Sequence, residues 1–64
     1  MTTYQLKRVY YDNTPNRCYG HFNDYEDIKQ LIKGFKADMR FWNENVQAYT
    51  RKNCKYFYIV IINN

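Results

Sequence analysis

The shortages of this chain narrow it first. Its 64 residues hold two cysteines, one proline, two glycines, one histidine and one tryptophan. Two cysteines cannot build the disulfide framework that staples small secreted domains. Cys18, His21 and Cys54 offer three ligands where a closed structural zinc site takes four. The odd offset between Cys18 and His21 also predicts opposite faces if they share a strand. The longest apolar run closes the chain, from Cys54 to Ile62, and is far short of the roughly 20 residues of a membrane helix. The stretch Met1–Arg8 has no apolar segment of the kind that marks a secretory signal. There is no Gly-rich phosphate loop and no nucleophile elbow. Cys18, His21 and Asp24 could be cast as nucleophile, base and orienter, but no spacing holds them to those roles. These absences lead us to expect a non-enzymatic, cytoplasmic protein of one domain (residues 1–64), with reduced thiols, no metal, no cofactor and no membrane partner.

Acid is also scarce: six Asp and Glu face ten Lys and Arg, for a net charge of +4. That suffices to steer an acidic partner without marking the chain as a nucleic-acid binder. What is plentiful is aromatic. Aromatics make up 20 % of the chain, eight of them tyrosines, and tyrosine suits a surface that is wet at one time and covered at another. Asn, Lys, Tyr and Ile are all frequent, a bias of AT-rich genomes such as those of many phages.

The final run, Cys54-Lys55-Tyr56-Phe57-Tyr58-Ile59-Val60-Ile61-Ile62, reads as the central strand. It is β-branched and aromatic and holds no Gly or Pro. Tyr56, Tyr58, Val60 and Ile62 fall on one face, and Phe57, Ile59 and Ile61 on the other. Both faces ask for cover.

Thr3 to Tyr11 reads as a first strand. Leu6 and Val9 lie on opposite faces, which calls for a bulge or for two partly covered faces. Asp12–Asn16, with Pro15, is a turn. Arg17 to Phe22 returns as a second strand, with Gly20 favouring an edge. Asn23 or Asp24 caps a helix, the former making a capping box with Glu26. The apolar positions Tyr25, Ile28, Leu31, Ile32, Phe35 and Met39 then recur at helical spacing, and the helix should end between Arg40 and Asn43. Phe41 and Trp42 are expected to tuck under that end, Trp42 as a plug of the core. Asn45 to Arg51 is the third strand, and Lys52-Asn53 a tight turn into the last.

The fold class that results is α+β, in the order β-β-α-β-β: one four-stranded mixed or antiparallel sheet with a single amphipathic helix on one face. The strands flanking the helix should run parallel. The order 2-1-4-3, with the last strand beside the first, is the simplest.

One helix leaves one face of such a sheet bare, and monomers rarely expose large contiguous apolar patches. A homodimer, sheet on sheet, is the first expectation. A docking platform for a host protein, in a phage- or mobile-element-encoded modulator or inhibitor of host defence, is its most concrete extension. Tyr10, Trp42, Tyr49, Tyr56 and Tyr58 are the candidate partner-binding anchors. The alternative is nucleic-acid binding through Lys29, Lys33, Lys36 and Arg40, whose spacing of four, three and four aligns them along one flank of the helix.

Overall fold

The computed structural model describes all 64 residues. Five strands form one sheet: β1 (Thr3–Tyr10), β2 (Arg17–Phe22), β3 (Asp38–Trp42), β4 (Val46–Thr50) and β5 (Tyr56–Asn63). One helix, α1 (Tyr25–Phe35), crosses one face. The sheet order is β2-β1-β5-β4-β3. The α+β class, the single helix and the central pairing of last strand with first are as expected. The strand count is not. The sheet has five strands rather than four; every neighbouring pair is antiparallel, one of the two arrangements expected.

The difference lies where the helix stops. The apolar spacing predicted helix through Met39, but α1 ends at Phe35. Lys36 adopts the left-handed conformation (φ 58°, ψ 37°). Its N–H donates to the Lys33 carbonyl at 3.1 Å, and the Ala37 N–H reaches the Ile32 carbonyl at 3.5 Å. This paired closure is the Schellman arrangement, here without the usual glycine. Asp38–Trp42 is thereby released to form β3, which pairs with β4. The strand expected to parallel β2, now β4, runs opposite to it; it is the added strand β3 that points the same way as β2, at the opposite edge of the sheet.

At its other end α1 is capped by Asp24, whose carboxylate accepts from the Glu26 N–H at 3.0 Å. The cap is thus Asp24 and not an Asn23–Glu26 box. Glu26 and Asp27 complement the positive end of the helix dipole. The Asp12 carboxylate accepts from the Thr14 N–H at 2.8 Å, closing the predicted first turn. That hydrogen bonding holds the Asp12 carboxyl below the usual carboxylate range. The second turn keeps Asn53 at φ 64°, but the ladder resumes only at Thr50 opposite Phe57, so β5 begins at Tyr56 rather than Cys54.

Both edge strands carry an irregularity. Opposite Leu6 and Lys7 the register of β2 jumps from Gly20 to Cys18, with Tyr19 as the extra residue. Gly20 sits at φ 104°, a conformation an L side chain rarely adopts. On β3 the jump is between Met39 and Phe41.

The core is small. Leu6, Ile28, Ile32, Tyr49, Tyr58 and Val60 are its buried residues, all between the helix and one face of the sheet. Tyr4, Phe22, Leu31, Phe35 and Ile62 are among the half-buried side chains that surround them. No helix is long and apolar enough to cross a membrane.

Candidate functional site

The register divides the sheet residues cleanly. The face under α1 takes Tyr4, Leu6, Arg8 and Tyr10 from β1, Tyr56, Tyr58, Val60 and Ile62 from β5, and Gln47 and Tyr49 from β4. The opposite face takes Phe57, Ile59 and Ile61 from β5, Val46, Ala48 and Thr50 from β4, and Phe41 from β3. From β1 it takes Thr3, Gln5, Lys7 and Val9. No segment of the chain lies over this second face. It is divided in turn: the β5–β4–β3 side is aliphatic and aromatic, while the β1–β2 side is mostly polar.

The candidate anchors scatter across this division. Tyr49 and Tyr58 are on the helix side and buried, 6 % and 1 % exposed, so neither presents a surface. Their period-2 positions were read correctly; it is the helix that settles on their face. Tyr10 and Tyr56 are half-buried at the end of that face, ring centroids 5.5 Å apart. Trp42 is 68 % exposed on the edge strand β3. It is not a core plug, because the chain it was to cap leaves the helix five residues earlier than Arg40. Of the residues that do form the open patch, Phe57, Ile59, Ile61, Val46 and Ala48 follow from the same alternation in the sequence; Phe41 does not, because the register of β3 shifts between Met39 and Phe41.

The lysine stripe is broken for the same reason. Lys29 and Lys33 are on α1, Lys36 is the left-handed residue that ends it, and Arg40 belongs to β3. Arg40 donates from Nε to Thr50 Oγ1 at 3.1 Å, on the open face. Lys29 makes the single ion pair of the structure, to Glu26 at 3.3 Å. Both partners are exposed, so it contributes little.

Strand directions sort the charge along the molecule instead. One end collects the end of β1, the start of β2, the end of α1, the start of β3, the β4–β5 turn and the start of β5. These bring Arg8, Arg17, Lys36, Arg40, Arg51, Lys52 and Lys55 together, against only Asp12 and Asp38. The other end holds Asp24, Glu26, Asp27 and Glu44. No sequence period reports this polarity, because its members come from five separate segments.

Within the basic end, Arg8 lies in a cage of tyrosines. It donates to Tyr58 Oη at 3.0 Å and Tyr10 Oη at 3.4 Å. Its guanidinium stands 4.4 Å from the Tyr56 ring centroid and 5.3 Å from that of Tyr58, and the Tyr19 ring is near both it, at 5.7 Å, and Arg17, at 5.1 Å. The tyrosine hydroxyls favour the charged form and hold the Arg8 pKa above its ordinary value. Burial pushes the Tyr58 hydroxyl up despite Arg8. Nε of Arg8 is buried without a partner. Phe35 stacks on Tyr58 at 4.4 Å and so closes the cage from the helix side. Arg8 is charged in a strand, so the sequence alone gave no reason to place it on the covered face.

A second polar cluster lies under the helix start. Gln47 Oε1 accepts from Tyr49 at 2.6 Å and from Tyr25 at 2.8 Å. Burial, then the contact with Tyr25, pushes the Tyr49 hydroxyl well above its usual pKa.

Cys18 and His21 turn out to share a face. The extra residue Tyr19 between them restores parity, so Cys18 pairs with Lys7 and His21 with Gln5. The Gln5 amide donates to the Cys18 sulfur at 3.5 Å and favours its thiolate. Cys54 sits apart in the β4–β5 connection, and both cysteines are free. No three His, Cys, Asp or Glu side chains gather.

A cleft of about 680 Å³ opens where the basic end meets the open face, between Tyr11, Asp38, Arg40, Thr50, Arg51 and Lys52. A second, of about 470 Å³, lies between α1 and β3 beside Lys29, Lys33 and Met39. No protein family matches the chain, and neither a curated protein nor a solved structure matches it.

Proposed function

We propose that this chain is a non-enzymatic protein-binding module that works through the bare face of its sheet, first of all by pairing face to face with a second copy. The observation that carries this reading is the row Phe57, Ile59 and Ile61. It lies on the middle strand of five, flanked by Val46, Ala48 and Phe41, with no layer of the chain above it. An apolar row at the centre of a sheet is the pattern of a buried layer. Only six residues are buried in the monomer, and a second sheet about 10 Å away would supply the missing half of the core.

The edges support the face as the contact. β2 and β3 are both bulged and carry Arg17, His21, Asp38 and Arg40, features that oppose strand-by-strand extension of a sheet. A heterologous partner would use the same row, with Phe41 at its margin as an aromatic anchor; Trp42 pairs with Gln47 and so belongs to the helix side. A host protein met by a phage- or mobile-element-encoded modulator is the most concrete such partner.

Sedimentation equilibrium tests the pairing. The wild-type chain is expected to be a dimer at micromolar concentration, and Ile59→Lys a folded monomer. A wild type that stays monomeric throughout the micromolar range removes the homodimer.

A further inference from the structure

The basic end is not explained by a contact through the apolar row, and its cleft has a chemistry of its own. Arg40, Arg51 and Lys52 line it, and none of them has a carboxylate within ion-pair distance. Arg40 is held by Thr50 through Nε, which leaves its terminal N–H groups free of protein acceptors. Like charges gathered at one end repel, and a bound anion relieves that cost. The remaining wall is aromatic. Tyr11 is 67 % exposed, and its ring leans on Phe57 with centroids 5.3 Å apart.

A positive wall beside a supported, accessible ring is the pairing that seats one unstacked nucleotide: phosphate on the cations, base on the ring. The cleft volume of about 680 Å³ is within the range that holds a ligand of that size. Asp38, the single acid of the wall, suits a donor such as a sugar hydroxyl or a base amine. An acidic peptide would use the cations but would gain nothing from Tyr11 and would be repelled by Asp38. We propose that this cleft is a seat for a nucleotide of single-stranded nucleic acid, with Arg40, Arg51 and Lys52 on the phosphate and Tyr11 stacked on the base. The seat lies at the strand ends, bordering the apolar row at Phe57, and it is complete within one chain.

Fluorescence anisotropy of short labelled DNA and RNA oligonucleotides at low salt tests it. Wild type is expected to bind, with log K falling against log salt at a slope of about −0.7 for the one phosphate in the seat, steepening toward about −2 if the three cations reach three successive phosphates. Tyr11→Ser should weaken binding roughly tenfold while the slope stays. The double change Arg51→Glu, Lys52→Glu should abolish binding, and Lys29→Glu with Lys33→Glu on the helix should leave it within about twofold, since those cations lie outside the cleft. All of these positions are exposed, and circular dichroism checks that each variant folds. Displacement of the oligonucleotide by a free mononucleotide would identify the single nucleotide as the ligand; retention would identify the strand. Three results would overturn the seat: no binding at low salt, equal competition by polyglutamate, or no effect of Tyr11→Ser.

Discussion

Consecutive residues of β5 live in different surroundings. Tyr58 and Val60 are 1 % and 0 % exposed beneath the helix, whereas Ile59 and Ile61 between them are only half-buried on the bare face. The composition of the strand does not distinguish its two sides; the single helix does. The covered side is where this monomer holds its stability. The bare side is as apolar along β5, but its side chains keep part of their area in water in the monomer. Burial is worth roughly 25 cal/mol per Å² only for area removed from solvent, so that remaining part is what a covering layer would add.

Two isoleucines break or confirm that contrast most directly. Ile28 is fully buried on α1. Ile28→Ala should cost about 2–5 kcal/mol, the range for deleting a buried aliphatic side chain. A chain of 64 residues has a total stability of about 3–10 kcal/mol, so this variant should lose a large share of it, read as a much lower midpoint in a denaturant titration. Ile59→Ala should cost less than about 1.5 kcal/mol in dilute solution, where the monomer prevails, because part of that surface is already wet. At high protein concentration its cost should grow, since dimerisation adds to apparent stability by mass action. Equal costs for the two, independent of concentration, would show that the faces do not differ in the way the geometry implies.

A smaller effect is expected from pH, and it too belongs to the covered face. Burial raises the Tyr49 hydroxyl in the folded state, while the unfolded chain ionises it near the ordinary value of about 10. The folded state therefore holds the proton that the unfolded state releases. The stability this contributes is fully present below pH of about 10 and is lost as pH rises above it toward the folded pKa, by up to about 1.4 kcal/mol per pH unit. Tyr49→Phe should flatten that alkaline loss in thermal melts run from neutral pH upward. At neutral pH it should cost about 1 kcal/mol for the hydrogen bond that Gln47 no longer receives. An alkaline slope unchanged by Tyr49→Phe would place the loss on other groups.

Legibility in the sequence followed the two periodicities. Alternation in Tyr56–Ile62 and in Val46–Thr50 gave the correct face for each of those residues, and the spacing of Tyr25, Ile28, Leu31, Ile32 and Phe35 gave the helix. Met39 misled because it falls four residues after Phe35 and so continues the helical pattern, and because Lys36 needs no glycine to turn the chain left-handed. The alternation of Met39 and Phe41 with Asp38 and Arg40 was a strand signal hidden inside that extension. The Cys18–His21 relation was misread for a different reason: a one-residue bulge inverts parity, and nothing local but Gly20 announces it. The tyrosine cage around Arg8 and the basic end were out of reach of any window, since each is assembled by strand register from distant segments.

The gentlest change strengthens the cover without touching the bare face. Lys36 holds a left-handed backbone that costs a residue with a β-carbon about 1 kcal/mol or more, and that glycine adopts freely. Lys36→Gly forfeits the favourable charge at the helix C-terminus, about 0.3–1 kcal/mol. The net should still be a gain of a few tenths to about 1 kcal/mol, read as a rise in Tm of a few degrees. Lys36→Ala separates the two terms, because it drops the charge while keeping the β-carbon, and should be neutral or destabilising. Because Lys36 lies at the end of α1 on the covered side, the dimer dissociation constant should not change with either variant. A change in pairing that tracked the stability gain would mean that the two sides of the sheet are energetically one unit, and that closing the helix over Tyr58 also shapes the row of Phe57, Ile59 and Ile61 behind it.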